Sequence, residues 1–220
     1  MPRGLGFPRN REGAGSGSDD EEVDVDSRVR SLFADVPGRV RIQLVGSRQR
    51  GDATALSDWD FRLEAPDCGR LAGDLPGLVV GLKALGALWD PLSRRAVYMV
   101  VLRGAIKVDF FPGDEERPLR LPWDPASDRL CDIDAHFWDW TLWLGGKTLG
   151  SRATLVASEL AKMFGFLLEP LGADRVPASI GEAVQLYGAA RDRHEIQQGV
   201  HVSRQLGDQV RAALARHGLV

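Results

Sequence analysis

Hydrophobic positions change their spacing along the chain, and the changes mark out two regions. Val25, Val29, Leu32 and Phe33 recur at helical intervals from Val23 and stop at Pro37-Gly38, which predicts a helix of about three turns. Between Arg39 and Val45 the period drops to that of a half-buried strand, with Val40, Ile42 and Leu44 alternating against Arg39, Arg41 and Gln43. A second strand is expected at Trp59 to Leu63, after a polar, turn-rich stretch. Asp67 to Leu85 reads as a helix interrupted near Pro76-Gly77, its apolar face made by Val79, Val80, Leu82 and Leu85. Ala96 to Leu102 and Ala105 to Phe111 are β-rich runs separated by Arg103-Gly104, a tight-hairpin signature. The order helix, strand, strand, helix, strand, strand predicts a small mixed α/β (α+β) sheet domain over residues 23–125.

Beyond Asp128 the period is helical throughout: Ile133, Phe137, Trp140 and Leu144, then Leu155, Leu160, Met163, Phe164 and Leu167. Pro170, Gly172 and Pro177 punctuate this half, and Ser179-Ile180-Gly181-Glu182 has the pattern of a capping box opening another helix. Residues 126–220 are therefore expected to form a helical domain, with Trp138, Trp140 and Trp143 packing its core and its contact with the sheet.

Residues 1–22 offer almost nothing to bury and end in Asp19-Asp20-Glu21-Glu22, so a disordered tail is expected there. The rest is balanced: 220 residues with 28 Lys plus Arg against 31 Asp plus Glu, a net charge of −3. That balance argues against an extended nucleic-acid face, which needs a surplus of basic side chains. Cys68 and Cys131 are too few for a Cys-only zinc site, and the four histidines lack metal-ligand spacing. No apolar run reaches the ~18–20 residues of a membrane span and no signal-peptide pattern opens the chain, so the expected location is cytoplasmic, with no membrane partner.

The chemistry-bearing stretch runs from Leu44 to Leu63. Asp58 and Asp60 flank Trp59 at the mouth of a strand, where alternation puts both carboxylates on one face. Two anions held that close repel, and a hard divalent cation such as Mg²⁺ relieves the repulsion. Asp109, between Val108 and Phe110, is a third acid in an apolar strand: either an edge acid facing water or a further metal ligand. Gly46-Ser47, at a strand-to-turn junction, offers backbone N–H groups and a hydroxyl for a phosphate. For Arg48 and Arg50 solvated loop side chains and phosphate contacts are equal alternatives. Gly145-Gly146-Lys147-Thr148 is not a phosphate-binding P-loop, because Thr141 stands where the first glycine belongs and a helical, Trp-rich segment precedes it. Lys147 is a candidate for reaching a triphosphate from the helical half, and Asp139 and Glu159 are candidates for acids on the acceptor side, with solvated helix faces as the alternative.

Val45-Gly46-Ser47, ten residues from Arg48 to Ser57, Asp58-Trp59-Asp60 and the distant Val108-Asp109-Phe110 together resemble the polymerase-β-type nucleotidyltransferase superfamily. The stretch from Gly46 to Asp60 is most similar to the small bacterial nucleotidyltransferases related to aminoglycoside-modifying enzymes. The resemblance covers about residues 23–125. It implies transfer of a nucleoside monophosphate from a nucleoside triphosphate, ATP first, to an acceptor hydroxyl, with two Mg²⁺ ions. By the same resemblance Asp58, Asp60 and Asp109 hold the metals, Asp109 is a candidate for taking the acceptor's proton, and Gly46, Ser47, Arg48 and Lys147 bind the nucleotide. A small aminoglycoside-like molecule is the first acceptor considered. A protein hydroxyl or a tRNA end is the alternative, and a non-catalytic nucleotide-binding module is the rival from another class.

Overall fold

Strand β2 (Trp59–Glu64) is two-faced: Trp59, Phe61 and Leu63 are buried on one side, while Asp60 and Arg62 turn to the other. The computed structural model of the chain describes residues 17–36 and 39–220, and β2 lies near the centre of its sheet. The neighbours are β1 (Arg41–Val45), β3 (Gly86–Trp89), β4 (Tyr98–Leu102) and β5 (Ile106–Pro112), in the spatial order β1-β2-β5-β4-β3. Only β2 and β5 run parallel among these pairs. Their register sets Trp59 beside Val108, Asp60 beside Asp109 and Phe61 beside Phe110. A mixed α/β fold of the expected class results.

Each face of the sheet has its own cover. Trp59, Phe61, Leu63, Val108 and Phe110 pack against Val25 and Val29 of helix α1 (Gly17–Leu32) and Leu71 and Leu75 of helix α3 (Cys68–Leu78). The opposite face, carrying Val101, meets helix α4 (Leu130–Leu149) and the helices around it: α5 (Ala153–Met163), α6 (Ile180–Gln198) and α7 (Gln205–Ala215). Full burial of an aromatic such as Phe61 or Phe137 is worth roughly 1.5–3 kcal/mol relative to exposure. Polar groups on the α4 side of β5 are shut off from water by this arrangement and must find partners.

Several expectations shift at the edges. Helix α1 starts at Gly17, so residues 17–22 are helical rather than part of a disordered tail; residues 1–16 lie outside the described residues. Once the packed turns around Val25 and Val29 fix a nucleus, further residues join a helix at little cost. Strand β3 is additional to the expected elements: Gly86-Ala87-Leu88-Trp89 is a short edge strand, half-buried at every position and without alternation. Leu102 pairs with Ile106, so the hairpin turn is Arg103-Gly104-Ala105, with positive φ at Gly104 (83°) and Ala105 (59°). At Ser179 the hydroxyl accepts the Glu182 N–H, whereas the Glu182 carboxylate bonds the Ala178 N–H instead of closing the capping box on Ser179. Trp138 is fully buried against Phe137 and Tyr187. Among the described residues no helix is long and apolar enough to cross a membrane.

Candidate functional site

The three acids singled out in the sequence meet on the α4 face of the sheet. Asp58 enters from the loop ahead of β2, Asp60 is the second residue of that strand, and Asp109 lies beside Asp60 in the parallel pair. One carboxylate oxygen from each comes within 4.8 Å of the other two. Asp58 and Asp109 are buried and Asp60 half-buried. At an effective dielectric near 20, two ionised carboxylates at that spacing repel by roughly 3 kcal/mol or more. The triad therefore has to be neutralised by protons, by a basic side chain or by a cation.

The protonation state reflects this pressure. Burial pushes the Asp58 carboxyl up to about 8, with Lys107 opposing the rise and Asp109 and Asp60 adding to it. Burial likewise moves Asp60 up to about 6, with Asp109 adding to it. Once their protons are displaced, the three carboxylates make the hard, anionic oxygen set that Mg²⁺ takes through one or two carboxylates while keeping waters.

Gly46 shapes the floor of the site. It has φ +75°, and a Cβ placed on it would stand 1.9 Å from Asp60 Oδ2. Only glycine lets the β1 end press its backbone against that carboxylate. The chain turns here directly into a five-residue helix, α2 (Gly46–Arg50), so Gly46 and Ser47 open a helical turn rather than a simple bend. Arg48 is directed elsewhere: its guanidinium donates to the Ser57 carbonyl (2.9 and 3.2 Å) and lies 4.4 Å from the Trp59 ring, bracing the loop that delivers Asp58. Arg50 is exposed and pairs with Asp52.

Gly145 and Gly146 lie inside α4, as rejection of a P-loop requires. A Cβ on Gly146 would stand 2.8 Å from the Leu56 carbonyl oxygen, so the small residue lets α4 approach the Asp58 loop closely. Lys147, on the same helix, acts electrostatically on both Asp58 and Asp60, with its ammonium 4.8 Å from the Trp143 ring centre.

Two further residues complete the cluster, Lys107 and the acceptor-side candidate Asp139. Lys107, two positions before Asp109 in β5, is 3% exposed and donates to Asp109 Oδ1 (2.5 Å) and Asp139 Oδ1 (2.8 Å). Burial alone would lower its pKa, but Asp109, Asp139 and Asp58 outweigh that and hold the ammonium well above the ordinary lysine value. Burial also moves Asp139, on α4, up to about 7, with Lys107 opposing the rise. The same i, i+2 alternation that paired Asp58 with Asp60 pairs Lys107 with Asp109. Asp139 carried no comparable signal, since its partner comes from a distant strand.

Beside Asp109 and Lys107 is a cavity of about 190 Å³, also lined by Asp90, Asp139, Glu159, Trp140 and Trp143. Trp140 and Trp143 therefore wall a cavity as well as packing the helices. Glu159 is buried and accepts from Trp140 Nε1 (3.2 Å) and Lys162 (2.5 Å). His136 forms part of the same wall, and Trp123 Nε1 donates to its Nδ1 (2.8 Å), so the neutral ring carries its proton on Nε2. Burial, with Lys107 adding to it, pushes this imidazole down to about 3, so it stays neutral at physiological pH. No protein-family model matches the chain, and no curated protein matches it either.

Proposed function

We propose that the chain is a divalent-metal-dependent nucleotidyltransferase of the polymerase-β type, transferring a nucleoside monophosphate, AMP from ATP first, to a hydroxyl of a small acceptor. The observation that carries this reading is the convergence of Asp58, Asp60 and Asp109 to within 4.8 Å on one face of the sheet, with the Gly46 backbone against Asp60. Parallel pairing of β2 with β5 is what makes it possible, because the third acid then shares the face and level of Asp60.

In this reading Asp58, Asp60 and Asp109 hold Mg²⁺. When bound, the metal supplies positive charge to the phosphate being transferred and favours the ionised acceptor oxygen. The Gly46-Ser47 turn binds phosphate through backbone N–H groups and the hydroxyl, and Lys147 adds positive charge from α4. The acceptor oxygen forms a bond to the α-phosphorus, the bond from that phosphorus to the pyrophosphate oxygen breaks, and a carboxylate of the cluster takes the acceptor's proton. Lys107 already occupies Asp109 Oδ1, which leaves Oδ2 as the oxygen of Asp109 that faces the other two acids' metal. The cavity beside it is small, walled by carboxylates and indoles, and suits a compact hydroxylated cation better than a tRNA end or a folded protein. The free thiols of Cys68 and Cys131 accord with a reducing, cytoplasmic setting.

Purified protein with Mg²⁺, labelled ATP and a panel of hydroxylated amines is expected to release pyrophosphate and label the acceptor. Asp58→Ala should abolish release while the chain stays folded. Undiminished release from that variant would overturn the assignment, and metal-dependent ATP binding without transfer to any acceptor would favour a non-catalytic nucleotide-binding module.

A further inference from the structure

Lys107 has the geometry of a clamp. It sits at the interface of sheet and helices, 3% exposed, and one ammonium bonds Asp109 on its own strand and Asp139 on α4. Its own strand places it on the same face as Asp109, and it lines both the cavity beside that acid and a larger one, about 450 Å³, beyond it. Asp139 is equally enclosed, with 4% of its side chain exposed, so the ion pair crosses from strand to helix out of water. Among the described residues, Lys107 is the hydrogen-bond partner of the Asp109 side chain. With Oδ1 held, the carboxylate plane and the direction of Oδ2 are fixed.

We propose that Lys107 is a positioning residue: by bridging Asp109 to Asp139 it fixes the orientation in which Asp109 joins Asp58 and Asp60, and it ties that orientation to the seating of α4 on the sheet. The inference rests on the nucleotidyl-transfer reading above. Its physical content is a split between binding and turnover. Removing a cation beside three carboxylates leaves the site more negative, so a divalent ion is attracted at least as strongly. Turnover suffers instead, because a reacting constellation displaced by about 1 Å loses about 100-fold in rate.

Full-length Lys107→Ala is the test, with Mn²⁺ affinity followed by electron paramagnetic resonance and kcat by pyrophosphate release. The expected result is Mn²⁺ binding at least as tight as wild type, a fall of about 100-fold in kcat, and partial recovery of kcat with propylammonium, which fits the deleted side chain and can enter from the cavities it lined. A merely structural lysine would lower thermal stability without that recovery. Asp139→Asn keeps the ammonium but weakens its second anchor, and serves if the alanine variant does not fold: kcat should drop by about tenfold at unchanged Mn²⁺ affinity. Wild-type turnover with both variants within about threefold of it would overturn this inference and leave the parent reading standing. Absence of turnover in the wild-type chain would remove both.

Discussion

Gly46→Ala separates backbone strain from damage to the site. At φ +75° an alanine is strained by about 1–2 kcal/mol. Its methyl group would lie 1.9 Å from Asp60 Oδ2 and 2.9 Å from Asp60 Cγ, a contact that the carboxylate can relieve only by moving away. Together these should cost about 2 kcal/mol of stability, or about 4–8 °C in a chain of this size. If Asp60 is a metal ligand, its displacement should also weaken Mn²⁺ binding tenfold or more, about 1.4 kcal/mol. Gly51→Ala is the control: Gly51 has φ +77°, but a Cβ there meets nothing within 4 Å. Thermal melts in chelator and Mn²⁺ titrations on both variants make the comparison. Gly51→Ala should lose stability and keep its metal, and Gly46→Ala should lose both. Wild-type Mn²⁺ affinity in Gly46→Ala would refute the reasoning that the glycine exists to hold Asp60 in place.

Other consequences follow from the same geometry. Asp58 and Asp60 have folded-state pKa values raised to about 8 and about 6, so their protonated forms favour the fold, and that stability is lost as pH rises through those values. Metal-free wild type should therefore lose stability between pH 5 and 9 more steeply than Asp58→Asn, as calorimetry in chelator would record; equal slopes would contradict the burial argument. Protons and Mg²⁺ compete for the same oxygens, so the Mg²⁺-induced rise in melting temperature should be larger at about pH 8.5 than at about pH 5.5, and the reverse order would count against the triad as the binding site. Gly146→Ala should cost about 1–3 kcal/mol in urea unfolding by pushing α4 off the Leu56 carbonyl, and a neutral result would show that the close approach is not needed.

Much of the site was legible because it follows from local rules. Alternation put Asp58 and Asp60 on one face, and the Val-Asp-Phe context of Asp109 marked an acid that needed a partner. What the chain could not show was the parallel register of β2 with β5, which decides whether the acids meet, since the connection between those strands contains two others. Lys107 was readable in principle, two residues from Asp109 in the same strand, but a lysine in a β-rich run reads as solvent-facing until both sheet faces are known to be covered. Asp139 lies within an apolar helical run, and its meaning comes wholly from the strand it meets. Strand β3 and the first turns of α1 were missed for another reason. One lacks alternation, and the other extends a helix beyond the apolar positions that nucleate it. For Arg48 the motif left solvation and phosphate contact as equal alternatives, and neither pointed to the bonds its guanidinium makes with the Ser57 carbonyl and its contact with the Trp59 ring.

Nucleotidyl transfer at this site requires a cation held among Asp58, Asp60 and Asp109. Anomalous diffraction from crystals of the wild-type chain grown with Mn²⁺ and a non-hydrolysable nucleoside triphosphate measures this directly. A strong manganese peak within bonding distance of all three carboxylates, with triphosphate oxygens completing its shell, is the predicted result. Manganese confined to exposed acids, with the three carboxylates bonded only to protein groups, would contradict it.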